Sequence, residues 1–181
     1  MLEGEVYEVL SAHIFRMQMR KPVNNVELRQ VRTGAKKSYT FHQNDTIEEA
    51  EVEKRTIRFI YERPGRAGNG EYWFMDPADP RNRFAVASDI VGDGGVYLKA
   101  NMDADALYFN DELIKVKLPV KVELAVTEAQ PTLKGNTAQG GSKPVTLETG
   151  AVVNTPLFVE IGDVIRVNTE SHEYVERVSK A

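Results

Sequence analysis

The sequence predicts an all-β protein built from small barrels, and three observations predict it. Apolar residues alternate with polar ones at a period of two over short stretches, instead of recurring every three or four. β-Branched and aromatic residues crowd those stretches, and such side chains fit a pleated, half-buried surface. Turn signals fall between them at short intervals: Arg32-Thr33-Gly34, Pro64-Gly65, Gly92-Asp93-Gly94-Gly95, Asn110-Asp111-Glu112 and Gly140-Gly141. Short strands at that spacing read as barrels or sandwiches.

Val6, Glu8 and Leu10 begin an early strand. Val26, Leu28 and Gln30 alternate, imperfectly, with Glu27, Arg29 and Val31 in a second. Ile57, Phe59 and Tyr61 alternate with Arg58 and Ile60, and Tyr72-Trp73-Phe74-Met75 is a dense aromatic strand. Two segments predict short helices: Asp45 to Glu53, and Pro80 to Ile90 with Asp79 as its cap. Neither is long enough to anchor a helical fold. Pro119 punctuates the chain, and Val120 to Val126 starts a new alternating strand. The predicted modules are residues 1–55, 56–119 and 120–181, about 60 residues each, a size that suits five-stranded barrels. No close internal repeat is visible by eye.

The 181 residues carry a formal charge of −4 and no cysteine, so neither disulfides nor thiolate-bound metal staple the fold. No apolar run approaches the roughly 20 residues that span a bilayer. The opening MLEGEVYEVL lacks the basic region and apolar core of a secretory signal. A cytoplasmic protein without membrane contact is therefore expected, and Asn44-Asp45-Thr46 is then a chance sequon.

Charge is distributed unevenly. Arg16, Arg20, Lys21, Arg29, Arg32, Lys36 and Lys37 face one acid, Glu27, between residues 16 and 37, a formal +6 in an acidic chain. This segment is either a solvated hairpin face or an arm that meets phosphates. Met17 and Met19 among the cations favour the second reading, because methionine adapts to irregular surfaces. The alternative is that both fold back into the core. Trp73 has two readings as well: a stacking platform for bases, or core. Consecutive aromatics on one strand point to opposite faces, so at least one of Tyr72, Trp73 and Phe74 packs inside, and core is the favoured reading for Trp73.

Catalysis has little support. His13, His42 and His172 are scattered without metal-ligand spacing, and no G-x-S-x-G elbow occurs. Gly140-Gly141-Ser142-Lys143 lacks the spacing of a phosphate loop. Asp103 and Asp105 read as a solvated turn. The expectation is a non-enzyme with no cofactor and no metal.

In the C-terminal third, Leu133-Lys134-Gly135-Asn136-Thr137-Ala138, Gly140 through Leu147 and Thr149-Gly150-Ala151-Val152-Val153 form a long, ordered block, and in that block the chain resembles bacterial elongation factor P and its paralogues. It continues through Pro156-Leu157-Phe158-Val159, Ile161 through Val167 and Glu173-Tyr174-Val175. Met1 to Glu5 and the Arg32-Thr33-Gly34 turn match the family's first domain, so the likeness covers essentially the whole chain and is weakest over residues 60–118.

The resemblance implies an SH3-like domain followed by two oligonucleotide-binding (OB) folds in an elongated, tRNA-like outline. It implies a monomeric, cytoplasmic factor of protein biosynthesis that binds the ribosome, its RNA and proteins, beside the peptidyl-tRNA. It further implies relief of stalling at consecutive prolines. The first domain's tip, which reaches the peptidyl-tRNA in the family, falls on Arg16, Met17, Gln18, Met19, Arg20 and Lys21. Ungapped spacing from Gly34 puts Met19 where the family holds a lysine or arginine, often modified, and the family's glycines are missing. A shift of one or two residues puts Arg20 or Lys21 there. Arg29 and Arg32 are the expected RNA-backbone contacts. Gly135-Asn136-Thr137 stands where the family's Gly-Asp-Thr loop meets messenger RNA in the exit site. Val145 and Thr155 depart modestly from the family signature. The alternatives are a paralogue with altered stall preference or a regulatory role, and a free-standing RNA-binding OB-fold protein.

Overall fold

The computed structural model describes residues 1–16, 22–65, 70–130 and 141–181. Thirteen strands among these residues form three antiparallel sheets, as the alternation predicts. The first sheet has the order β1-β2-β3, with β1 at Tyr7–Phe15, β2 at Val23–Gln30 and β3 at Lys36–Phe41. The second contains β4 (Glu53–Arg63), β5 (Glu71–Met75), β6 (Arg83–Ala87), β7 (Asp103–Phe109) and β8 (Glu112–Lys117) in the order β6-β5-β4-β7-β8. The third contains β9 (Lys121–Ala129), β10 (Ser142–Leu147), β11 (Val152–Pro156), β12 (Val164–Asn168) and β13 (Glu173–Ser179) in the order β11-β10-β9-β12-β13. The second and third sheets share one topology, with their first strand central and their third and fifth strands at the edges. Sequence reading saw no repeat because the repetition lies in strand connectivity and not in residue identity. By packing, the chain forms two compact units: Met1–Arg55 with Asp105–Val116, and Thr56–Ala104 with Lys117–Ala181. Among the described residues, no helix is long and apolar enough to cross a membrane.

The third sheet follows its sequence pattern closely. Val122, Leu124 and Val126 of β9 point inward with Val145, Leu147, Val153, Ile165 and Val167, and all are buried. Each such side chain contributes about 1.5–3 kcal/mol of burial. Asp163 is also fully buried here. Its carboxylate accepts from the N–H groups of Glu160 and Ala181 and from Arg177 at 3.0–3.1 Å. Burial pushes this carboxyl up; the two amides and Arg177 together more than offset that and hold it below the usual range.

Two predicted helices are corrected. Asp45 to Glu53 contains no helix; His42 and Asp45 close a turn, with the His42 N–H donating to the Asp45 carboxylate at 2.8 Å, and β4 begins at Glu53. Pro80 to Ile90 holds a turn, then β6, then the start of one helical turn, α1, at Ser88–Val91. Asp79 accepts from the Arg81 N–H and shapes a turn instead of capping a helix. The two Asp-Pro steps lie in successive turns closed by the Asp76 and Asp79 carbonyls, and Phe84 and Val86 then alternate as a strand.

The 3₁₀ segment Asp93–Tyr97 lies between α1 and β7, yet it packs onto the third sheet. The Tyr97 ring is 2% exposed among Val122, Leu124, Ile165 and Val167. Its hydroxyl lies 3.2 Å from His172 Nδ1, and the two rings stack at 5.5 Å. Gly95 makes the approach possible: a Cβ there would lie 2.7 Å from the Tyr72 hydroxyl.

Replacing Tyr97 with Ala should cost about 3–5 kcal/mol in urea unfolding of the full chain, as for other large aromatic truncations. Asp163 gives a pH signature. Its folded pKa lies below its unfolded one, so it stabilises the fold above about pH 4. That contribution should be lost as pH falls through the folded value, and an Asp163→Asn variant should show a flatter acid limb in the same measurement.

Candidate nucleic-acid interface

The basic segment is carried by β2, β3 and the turn between them. Arg29 on β2 stands opposite Glu8 of β1 on one side and Lys36 of β3 on the other, so the three form a row on one face of the sheet. The Arg29 guanidinium donates to Glu8 at 2.8 Å. The β2–β3 turn reverses through Gly34 at φ 75°, a left-handed conformation that glycine adopts without strain. The Gly34 N–H closes the turn onto the Gln30 carbonyl at 2.8 Å. Arg32 projects from this turn and pairs with Glu112. Lys37 pairs with Glu3 at 3.1 Å, which raises the lysine pKa through the hydrogen bond and the charge of Glu3. Arg16 is exposed just beyond β1. The remaining expected tip residues, Met17, Gln18, Met19, Arg20 and Lys21, lie outside the described residues.

Arg29 and Arg32 thus reach solvent with carboxylates already in contact. Exposed pairs of this kind contribute about 0–1 kcal/mol and weaken with salt. A phosphate group can replace either carboxylate at little cost, so the pairs pre-extend the guanidinium groups without locking them.

Gly135, Asn136 and Thr137 lie outside the described residues. The flanking structure is ordered by Lys143, whose ammonium donates to the Gln130 carbonyl at 3.1 Å and so ties the start of β10 to the end of β9. An open cleft of about 1110 Å³ adjoins this point. Ser142, Asn154, Phe158, His172 and Tyr174 are among its lining residues.

The aromatic strand divides as period-two geometry requires, but not as favoured from sequence. Tyr72 and Phe74 are buried, whereas Trp73 turns to the outer face and is only half-buried. Tyr61 joins it there, because the pairing of β4 with β5 slips between Phe59 and Tyr61. The extra residue reverses the alternation, so Tyr61 leaves the face of Ile57 and Phe59. The two rings stack with centroids 5.9 Å apart and planes 12° apart. Tyr61 was absent from the expected contacts, and the slip that exposes it has no residue signature. Asp103 and Asp105 lie on β7 instead of in a turn, paired with Arg58 at 2.6 Å and Lys54 at 2.8 Å. Among the described residues, no group of three His, Asp or Glu side chains could hold a metal ion.

The weakness of the exposed pairs is testable. Glu8→Ala and Glu112→Ala should each shift urea-unfolding stability by less than about 1 kcal/mol.

The family model described as "Elongation factor P, C-terminal" matches residues 122–177, which span most of the third sheet. Curated relatives match nearly the whole chain. A protein named "Elongation factor P" from Natranaerobius thermophilus is 38% identical over 177 residues, covering 98% of this chain and 91% of that protein. Proteins of the same name from Carboxydothermus hydrogenoformans and Pelotomaculum thermopropionicum are 36% and 39% identical over 177 residues, each covering 98% of this chain and 92% of the relative. The chain belongs to the elongation factor P family of translation elongation factors.

Proposed function

We propose that this protein binds the ribosome beside the peptidyl-tRNA and promotes peptide-bond formation where synthesis stalls, as at consecutive prolines. The observation that carries this reading is the concentration of cations on β2, β3 and their turn in a chain that is otherwise acidic. A uniformly basic protein would coat RNA without discrimination. A basic arm on an acidic body favours one orientation at a polyanionic site. Arg29 and Arg32 then meet RNA phosphates, and the 16–21 segment reaches the tRNA terminus. Gly135, Asn136 and Thr137 meet the messenger RNA. Asn136 in place of an aspartate both donates and accepts hydrogen bonds and carries no charge.

The factor itself does no covalent chemistry in this reading and needs no cofactor. The ribosome forms the bond; the factor restrains the peptidyl-tRNA, which lowers the entropic part of the barrier. Residues 1–55, 56–119 and 120–181 act as three modules in a monomer in the cytoplasm. What supports that division is that the strands of each sheet fall within one of these spans, apart from the first three residues of β4, which begins at Glu53.

One observation favours a second reading. Met19 at the tip position removes the cation that the family presents to the tRNA. A paralogue with a shifted stall preference follows from that change.

The test is reconstituted translation with purified ribosomes. The protein should speed synthesis through a run of prolines, and Arg29→Ala and Arg32→Ala should each weaken ribosome binding several-fold, with a shallower salt dependence. Acceleration confined to non-proline stalls would select the second reading, and no effect on any stall would reject both. Intact-mass spectrometry of protein from its native host should return the unmodified mass; added mass on Arg20 or Lys21 would place a modified cation at the tip.

A further inference from the structure

The outer face of the second sheet carries an aromatic stack that the translation reading leaves unused. Antiparallel pairing aligns its side chains in rows. Tyr61 of β4 and Trp73 of β5 stand beside Ala85 of β6. On one side of this row lie Arg58, Met75 and Arg83, and on the other Arg63, Glu71 and Ala87. Tyr61 is 46% exposed although it is a large ring on a regular strand. Ala85 and Ala87 are exposed and small, which leaves the flank of the stack uncovered on the β6 side. The Trp73 indole Nε1 is buried and has no hydrogen-bond partner, so the ring is held by packing and stacking alone.

These features suit a planar, anionic ligand. Nucleobases stack on aromatic rings with little regard to sequence. Arg63 and Arg83 are exposed in the two rows that flank the stack, one on each side, where cations suit backbone phosphates; Arg83 Nε donates to the Pro80 carbonyl and leaves its other donors for a phosphate. Arg58 contributes less, since Asp103 already engages two of its three donating nitrogens. Five-stranded barrels of this kind bind oligonucleotides on the face of their second and third strands, here β5 and β6. We infer that the outer face of β4, β5 and β6 is a stacking site for single-stranded RNA, with Tyr61 and Trp73 as its platform and Arg63 and Arg83 as its phosphate contacts.

The inference does not rest on the ribosomal reading, because it is tested on naked RNA. Trp73 is the only tryptophan in the chain, so its fluorescence reports on this face alone. Titrating the full-length protein with a single-stranded RNA decamer should quench that emission saturably. A duplex of the same length should quench it at least tenfold less effectively at equal concentration. Tyr61→Ala should weaken binding about 5- to 100-fold, the range for loss of one stacked base. Tyr61→Phe should retain binding within about threefold. Arg63→Ala should reduce affinity and lower the slope of log affinity against log salt by about 0.7, one phosphate's share on a single strand. Equal affinity for the duplex, wild-type affinity in folded Tyr61→Ala, or quenching by a basic peptide in place of RNA would each overturn the site.

Discussion

The burial of Tyr97 in the third sheet constrains most of what surrounds it. The ring belongs by sequence to the connection between α1 and β7, but it fills the core beneath β9 and β12. An aromatic ring of this size contributes several kcal/mol when removed from water. The segment that delivers it must therefore lie flat on its neighbours. Gly95 passes the Tyr72 ring where no Cβ fits, and Gly94 sits against the Thr169 carbonyl and Leu118. Around this anchor, the Thr169 hydroxyl donates to the Pro119 carbonyl at 2.8 Å. Lys99 pairs with Glu148 at 2.9 Å, while the Ala125 N–H donates to the same carboxylate. Burial raises the Glu148 carboxyl, and the Ala125 amide and Lys99 bring it below its ordinary value. The charged form is thus favoured at neutral pH, and the contact persists there.

This arrangement bears on function through stiffness. On the proposed function, the factor works by orientation and loses effect if its parts turn freely, because each added degree of freedom returns entropy to the ground state. Tyr97 ties the 3₁₀ segment that carries it to the core of the third sheet. The junction residues Pro119 and Val120 also lack the length for independent movement: Thr169 donates from its N–H to the Val120 carbonyl, so the connection is bound at the point where it enters β9.

What was legible in the sequence followed from pattern strength. β9 is readable because Val122, Leu124 and Val126 alternate without interruption, and a regular ladder preserves that alternation. Tyr61 is misassigned by the same rule, because one slipped residue in β4 reverses every side chain beyond it. The helix expected over Pro80 to Ile90 failed because Phe84 and Val86 pair with β5, and tertiary pairing overrides weak local propensity. Tyr97 was legible as apolar but not as a core residue of another sheet, since nothing in its neighbourhood encodes a distant partner. The cations were legible as a cluster. Their carboxylate partners, Glu8 and Glu112, lie 21 and 80 residues from Arg29 and Arg32 and could not be assigned from spacing.

The paired state of those arginines also separates affinity from selectivity. A guanidinium group that already holds a carboxylate gains only the difference between phosphate and carboxylate when it meets RNA. That difference is small for a single phosphate and grows where several phosphates converge, since each exchange also releases counterions. On the proposed ribosomal reading, the row of Glu8, Arg29 and Lys36 would discriminate against isolated strands and favour dense, folded RNA. The stacking site inferred on the outer face of the second sheet would have the opposite bias: its stack gains from an exposed base, which folded RNA withholds and an unpaired strand supplies. Together the two proposals give one chain a surface for structured RNA and another for an unpaired segment.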